Sequence, residues 1–334
     1  MLPRYLRLMT LLLFISASTP QSLTMNAYAG LSEGIAAYQR GDYASARQEI
    51  SALAESGDAV AQFWMGATYQ KLGEKVEAEK WYRQAGEHGN TDAQLALGRL
   101  YYAGDGVQKD FIEAGKWFRE AAEQGNAKAQ HLLGMLYDQG EGVAQDYAEA
   151  LRWFRKSADQ GDDEAQCYLG LAYAKGKGVQ QNYAEAARWF QSSADKGNAL
   201  AQLNIGLAYE HGLGVKKDHA KATYFFLLAA AGGQREGQYH YGLRHEESAR
   251  LEYEKGATRG DPRVYKTAFS YFMQAAKKGH PDAQMKVGAM YTLGKGVPKD
   301  TTEGATWLLK AAQQDQSEAQ FLLGMDYVAG DGVL

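Results

Sequence analysis

The sequence contains a single cysteine, Cys167, among its 334 residues. A disulfide-stapled secreted domain needs several cysteines, so that class is excluded and the stability of this chain must come from helix stacking. No Asn-x-Ser/Thr glycosylation site is present, which favours a bacterial envelope or secreted protein over a eukaryotic lumenal one. A net charge of only −4 gives no reason to expect nucleic acid or an anionic membrane as a partner.

Motifs for catalysis are also missing. The chain has no Ser-His-Asp order, nucleophile elbow, paired-carboxylate spacing or zinc motif. We therefore expect a protein that is not an enzyme, with no catalytic residue, no cofactor and no metal. One alternative concerns four histidines in adjacent segments, because imidazole is a common metal ligand. These are His211, His219, His240 and His245.

What the chain does contain is a repeated segment. Residues 126–160 read NAKAQHLLGMLYDQGEGVAQDYAEALRWFRKSADQ, and Gly161 starts the pattern again. A glutamine marks the same position in each copy, at steps of 36 residues over most of the chain. The glutamines are Gln62, Gln94, Gln130, Gln166, Gln202, Gln238, Gln284 and Gln320. Such a fixed period is typical of a solenoid, in which neighbouring units bury a shared core.

Each repeat carries two apolar stripes of helical period. Ala129, Leu133 and Leu136 form the first stripe, and Ala150 and Trp153 belong to the second. Two such helices must pack together as an αα-hairpin. The sequence therefore predicts an all-α fold: a right-handed α-solenoid of stacked antiparallel helix pairs, with about eight αα-hairpins and a final single helix.

Glycine stands in the middle of every first helix, where it costs about 1 kcal/mol relative to alanine. These residues are Gly66, Gly98, Gly134, Gly170, Gly206, Gly242, Gly288 and Gly324. We expect the missing Cβ to let a neighbouring helix approach closely, with an aromatic anchor of the second helix opposite it. The expected anchors are Trp81, Trp117, Trp153, Trp189, Phe225, Tyr271 and Trp307.

The motifs of residues 58–334 resemble a known family. Ala-Gln-x-x-Leu-Gly-x-x-Tyr, then Gly-x-Gly-Val, then Asp-x-x-x-Ala-x-x-Trp-Phe-x-x-Ala-Ala-x-x-Gly are similar to the Sel-one-like repeat (SLR), a branch of the tetratricopeptide-repeat superfamily. The resemblance implies a scaffold, since similar proteins assemble membrane-associated complexes, tune envelope signalling or meet host proteins. Cysteine-rich relatives, to which penicillin-binding or β-lactamase activity has been attributed, carry one disulfide per repeat. This chain cannot form such disulfides.

Residues 1–29 differ in composition from the rest. Two arginines precede an apolar run at residues 8–15, which is too short to span a bilayer and suits a signal peptide. Cleavage is expected after Ser18 or after Ala29; the alternatives are an uncut anchor or a short buried helix. No cysteine follows the run, so we expect no lipoprotein anchor. We expect a periplasmic or secreted solenoid at residues 30–334 with no integral membrane span after cleavage.

One repeat is irregular. The step from Gln238 to Gln284 is ten residues over the period, and the extra length falls in residues 244–263. This segment is charged on all faces and predicts an overlong, exposed first helix that ends near Gly256. Insertions into repeats often carry binding sites, but a tolerated surface insertion explains the sequence equally well.

Function in a repeat protein is expected where the repeats differ. Two rows on the first helices vary while their neighbours do not, and they supply the candidate partner-binding residues of the concave face. The candidates are Trp64, Leu132, Tyr168, Asn204, His240 and Arg244. Packing between repeats is the alternative role for each. We expect a non-catalytic adaptor for a protein partner, either an envelope complex component or a host protein. The alternatives are a secreted virulence-type factor and a cell-wall or β-lactam amide hydrolase.

Overall fold

The computed structural model describes residues 21–254 and 262–330, with side chains described for residues 29–251 and 263–330. Seventeen α-helices and no strand occur in these residues. The helices are α1 (Gln21–Gln39), α2 (Tyr43–Glu55), α3 (Ala59–Leu72), α4 (Lys75–Glu87), α5 (Thr91–Ala103), α6 (Phe111–Glu123), α7 (Ala127–Gln139), α8 (Tyr147–Asp159), α9 (Asp163–Lys175), α10 (Tyr183–Ala194), α11 (Ala199–His211), α12 (His219–Ala231), α13 (Arg235–Glu254), α14 (Pro262–Lys277), α15 (Pro281–Leu293), α16 (Thr301–Ala312) and α17 (Ser317–Ala329).

The helices form two compact units, one up to Gln145 with α1–α7 and one from Asp146 with α8–α17. Within each unit every helix packs against the helices before and after it in the chain. Odd-numbered helices are the first helices of the repeats and even-numbered helices are the second. The predicted all-α solenoid of stacked helix pairs is confirmed. The predicted leader lies largely in residues 1–20, outside the described residues.

Side-chain caps fix where the second helices begin. The carboxylate of Asp110 accepts hydrogen bonds from the backbone N–H groups of Ile112 and Glu113, and Asp146 caps α8 in the same way. An N-cap of this type stabilises a helix by about 1 kcal/mol. Glu149 in the first turn of α8 accepts a hydrogen bond from the indole of Trp153 at 2.8 Å. The cap and the first turn therefore also orient the buried tryptophan.

The repeated glutamine links each first helix to the helix before it. The side-chain amide of Gln94 donates to the carbonyl oxygen of Gly86 at 3.0 Å, and Gln166 donates to Ala158 at 3.1 Å. These carbonyls lie in the last turn of a helix, where no intrahelical donor is available. The same bond, to the carbonyl eight residues earlier, is made by Gln62, Gln130, Gln202, Gln238, Gln284 and Gln320. This bond explains why glutamine recurs at this position.

The mid-helix glycines do permit close helix contact, as predicted. A Cβ on Gly170 would lie 2.6 Å from the ring of Phe190, closer than any real Cβ contact. The predicted anchor is wrong by one residue, because Trp189 packs instead against Ala158 and Leu169. The same arrangement joins Gly66 to Tyr82, Gly98 to Phe118, Gly206 to Phe226, Gly242 to Phe272 and Gly288 to Leu308. We call each such site a glycine notch and its occupant a knob.

We expect Gly170→Ala to destabilise the protein by about 1–3 kcal/mol, because the added methyl group must displace a packed ring. Gly324→Ala is the matched control, since no atom of the described residues lies within 4 Å of a Cβ at that position. This control should leave the protein equally stable or stabilise it by up to about 1 kcal/mol through helix propensity. Urea unfolding followed by circular dichroism measures both changes. Equal effects of the two substitutions would contradict the proposed role of the notch.

Cys167 lies deeper than the sequence indicates. It is 2% exposed and belongs to a core cluster that includes Ala201 and Phe225. Burial raises the pKa of its thiol to about 12, and the nearby carboxylates of Asp163 and Glu164 add to the effect. Leu95, His131 and Leu203 stand at the position of Cys167 in other repeats, which predicts a partly buried thiol. The thiol is instead fully buried, and it stays protonated at neutral pH.

The buried thiol should be unreactive in the native protein because the thiolate is the nucleophile. At about pH 8 we expect a thiol-specific chromogenic reagent to label the native chain at least about a hundredfold more slowly than the chain in urea. The Cys167→Ser variant gives the blank. Rapid labelling without denaturant would show that the thiol is accessible.

Candidate protein-binding surface

The two predicted site residues of the first unit lie on α3 and α7. Trp64 is half-buried, and its ring makes edge-to-face contacts with Tyr38 at 5.2 Å and Phe63 at 5.4 Å. It packs against two neighbouring core clusters. Leu132 is half-buried on α7. For Trp64 the contacts support the alternative role, packing between repeats.

Tyr168 and Asn204, in the second unit, are held by nearby groups. The ring of Tyr168 stacks on Phe154 with centroids 5.2 Å apart and planes at 11°. The amide of Asn204 donates to the carbonyl oxygen of Leu200 in its own helix at 2.8 Å. Both side chains are half-buried. They therefore offer a partner only part of their surface.

His240 and Arg244, the other two predicted residues, converge on one carboxylate. Glu210 at the end of α11 lies 3.5 Å from the guanidinium of Arg244 and 3.8 Å from Nδ1 of His240. Arg244 also contacts Glu247 one turn later at 2.7 Å. The side chains of Arg244 and Glu210 are only 15% and 16% exposed, so packing holds them in one geometry. The structure thus brings together two of the six predicted residues.

Further charges extend this group. Lys286 of α15 forms a 2.9 Å ion pair with Glu246 of α13. The ring of His240 stacks on Phe226 of α12 at 4.9 Å, which fixes its plane. Residues from α11, α13 and α15 therefore form a group of ion-paired side chains around α13. We call it the α13 charge cluster, and it consists of Glu210, His240, Arg244, Glu246, Glu247 and Lys286.

A groove adjoins the α13 charge cluster. Helix α13 has 20 residues, whereas α9, α11 and α15 have 13 each. Its additional turns and the start of α12 enclose about 370 Å³. This volume is at the lower end of the range for ligand pockets. The groove is lined chiefly by His219, Thr223, Arg244, His245, Ser248 and Leu251.

The extension of α13 differs from its expected character in one respect. The sequence predicts an exposed helix with charge on all faces, but Ala249 is completely buried and the side chain of Arg244 is only 15% exposed. One face of the extension therefore packs against the repeat core. The predicted end of the helix near Gly256 falls in residues 255–261, outside the described residues.

The structure adds residues to the candidate site that the sequence pattern does not indicate, chiefly Glu210, Glu247 and Ser248. The grouping of four histidines was the available signal. His211 and His240 both lie within 4 Å of Glu210, at 3.6 and 3.8 Å, while His219 and His245 line the groove. Glu210 and Arg244 are 34 residues apart in the sequence, about one repeat. Their ion pair is therefore visible only in the folded structure.

The half-buried histidines of this region have lowered pKa values. Burial lowers the pKa of His240, and this effect outweighs the opposing attraction of Glu210. Burial also lowers the pKa of His245, whose Nε2 atom has no hydrogen-bond partner among the described residues. Both imidazoles are therefore neutral at pH 7 in the folded state.

A lowered histidine pKa makes the folded protein sensitive to acid. The unfolded state binds the proton more tightly, so the stabilising contribution is complete above the ordinary pKa of 6.5 and is lost as the pH falls below it. We expect urea midpoints to decrease between about pH 7.5 and pH 5.5, before carboxylates titrate. His240→Gln should reduce this decrease. An unchanged pH profile in that variant would contradict the assignment.

Comparison with known proteins agrees with this architecture. The Sel1 repeat family matches eight consecutive segments that cover residues 59–334. The chain belongs to the Sel1-repeat family. The matched segments are residues 59–90, 91–126, 127–162, 163–198, 199–234, 235–280, 281–316 and 317–334. The last four segments include the α13 charge cluster, the groove and α17.

Two crystal structures are similar to this Sel1-repeat chain. One is a protective antigen present in uropathogenic Escherichia coli strains that displays an SLR fold; it is 34% identical, with 92% of this chain and 73% of that chain covered and a TM-score of 0.62. The other is a Sel1 repeat protein from Oxalobacter formigenes, which is 28% identical and has a TM-score of 0.67. The match covers 96% of this chain and 99% of that chain. No curated protein matched the chain.

Family membership establishes a general role for the chain. Sel1 repeats form scaffolds for protein interaction, and the fold is typically non-catalytic. Among the described helices, none combines the length and the apolar character that a membrane crossing requires.

Proposed function

We propose that this Sel1-repeat chain is an exported, non-catalytic scaffold that binds a protein partner. In this proposal the main contact is the α13 charge cluster with its adjoining groove. Trp64, Leu132, Tyr168 and Asn204 add secondary contacts on other first helices. The single observation that carries the proposal is the extended α13, which departs from the repeat and surrounds Arg244 with polar groups.

Departure from the repeat supports a role in binding. Stacking needs the apolar stripe, the glutamine and the glycine notch, and α13 retains the last two as Gln238 and Gly242. The end of α13 with Glu247, Ser248 and Leu251 is not required for the glutamine or glycine contact. Residues that a repeat does not need for packing are available for recognition.

The chemistry of the surface favours a mixed partner segment. Leu251 is 43% exposed and offers an apolar contact, while Ser248 and His219 offer hydrogen bonds. Three glutamates against one arginine and one lysine leave a net negative charge in the α13 charge cluster when the histidine is neutral. We therefore expect a partner segment that places a basic side chain beside an apolar one.

Site-specific photo-crosslinking tests this surface. A photoreactive amino acid in place of Ser248 should give a discrete adduct with a partner in cells, whereas the same probe at the exposed Lys116 of α6 should not. Arg244→Ala should abolish the adduct, because it removes the central cation. The matched control is Arg188→Ala, which breaks an exposed ion pair with Glu185 at 2.9 Å. Adducts that persist in Arg244→Ala with native helicity would contradict the proposed site.

Export is proposed from residues 1–29 and has its own test. Cell fractionation should place the chain outside the cytoplasm. Deletion of residues 1–18 should retain the chain in the cytoplasm. Amino-terminal sequencing of the exported protein would distinguish cleavage after Ser18 from cleavage after Ala29. A cytoplasmic protein with an intact amino terminus would exclude export.

A host-directed role is the second candidate. The similar Escherichia coli protein is described as a protective antigen present in uropathogenic strains, which favours an encounter with host molecules. The crosslinking experiment separates the two candidates. An adduct formed with purified protein in host secretions, and absent with envelope extract, would assign the partner to the host.

A further inference from the structure

The second helices carry a regular series of stacked arginines. Each guanidinium lies 5.7–5.9 Å from the ring centroid of a tyrosine on the following first helix. The pairs are Arg47 with Tyr69, Arg83 with Tyr101, Arg119 with Tyr137 and Arg155 with Tyr173. In the last three pairs the guanidinium also donates to the tyrosine hydroxyl at 2.6 Å. The next position of this series, 36 residues after Arg155, is Gln191.

A cleft lies between α10 and α12 where the series is interrupted. One repeat earlier, the guanidinium of Arg155 lies 5.0 Å from the ring centroid of Trp189 and fills the space beside it. Gln191 and Phe225 stand at the corresponding positions, and both side chains are smaller than those they replace. The cleft has a volume of about 400 Å³. It is lined chiefly by Gln191, Asp195, Gln202, Tyr224, Phe225 and Leu228.

A nearly buried acceptor belongs to this lining. Gln202 is 6% exposed, and its Nε2 atom donates to the carbonyl oxygen of Ala194 at 3.3 Å, but its Oε1 atom accepts no hydrogen bond from the described residues. In three other repeats a side chain at the end of the following second helix contacts this oxygen at 2.7–2.9 Å: His88 at Gln62, Gln124 at Gln94 and Gln314 at Gln284. Gly232 stands at that position after Gln202 and has no side chain. At Gln166 and Gln238 the same oxygen is fully enclosed, whereas Gln202 lines the cleft and is open to a donor from outside.

The other lining groups favour a planar cation with an apolar stem. The carboxylate of Asp195 accepts a hydrogen bond from Nε2 of Gln191 at 2.7 Å, which holds it at the edge of the cleft. Tyr224 is 57% exposed, and its ring contacts Phe225 edge-to-face at 5.3 Å, while Leu228 is half-buried. None of the residues that line the cleft is basic. Oxygen acceptors, aromatic rings and aliphatic surface together match the guanidinium and the methylene groups of arginine.

We propose that this cleft binds an arginine side chain of a partner protein. The guanidinium takes the place that Arg155 occupies one repeat earlier and lies against Phe225. It donates to Oε1 of Gln202 and to the carboxylate of Asp195, and its methylene groups pack on Leu228. A free amino acid fits less well, because no basic lining residue holds its α-carboxylate. None of these residues lines the groove at α13, so the inference does not depend on the proposed function.

A titration of the full chain with short peptides, followed by NMR, tests the proposal. The probe is the tripeptide Gly-Arg-Gly, blocked at both ends. The backbone amide signals of Asp195, Gly197 and Phe225 should shift, with a dissociation constant of about 1 mM or lower. The same peptide with citrulline keeps the shape of arginine without its charge, and it should bind at least about tenfold more weakly. The lysine peptide should also bind more weakly, since an ammonium group neither stacks nor forms a fork of donors.

Two variants locate the binding. Gln191→Arg supplies the cleft with a guanidinium of the chain itself, as in the preceding repeats, and should abolish binding while helicity and melting temperature are retained. Asp195→Asn removes the carboxylate and should raise the dissociation constant about tenfold. Asp159→Asn is the matched control, because Asp159 is the exposed residue at the same position one repeat earlier, where Arg155 already occupies the stack. This control should leave the titration unchanged.

Three results would overturn the proposal. The first is the absence of shifts at these signals up to about 10 mM peptide. The second is equal affinity for the arginine peptide and for either the citrulline or the lysine peptide. The third is undiminished binding in Asp195→Asn, which decides the question even if Gln191→Arg does not fold. Arg244→Ala should not affect the titration, so failure of the proposed function at α13 is distinguishable from failure here.

Discussion

The contact between a first-helix glycine and a large side chain of the following helix is the constraint on which this structure depends. Glycine in a helix interior costs about 1 kcal/mol relative to alanine, so eight such residues need a compensating gain. At Gly170 the gain is a Phe190 ring packed where a Cβ would otherwise lie. The buried glutamine bond then sets the distance to the previous helix. Together these two contacts fix both neighbours of the first helices α3, α5, α9, α11, α13 and α15.

Because these contacts use only one part of each helix, the remaining positions can vary. Helix α13 shows how variation produces a site without weakening the stack. It keeps Gln238 and Gly242 in the core and places Arg244 between Glu210 and Glu247. An ion pair that is 15% exposed contributes little net stability once desolvation is counted, but it holds its charges in a defined arrangement. Defined arrangement is what recognition of a partner needs.

Much of the fold could be predicted from the sequence, since the period, the caps and the glycines are local signals. The identity of the knob could not. Trp189 and Phe190 are adjacent and both fit the apolar stripe, so helical periodicity does not distinguish them. At the candidate site, His240 and Arg244 were found because they vary between repeats, whereas Glu210 was missed because its pairing spans 34 residues. Trp64 shows the limit of that criterion, because its variable position serves packing against Tyr38.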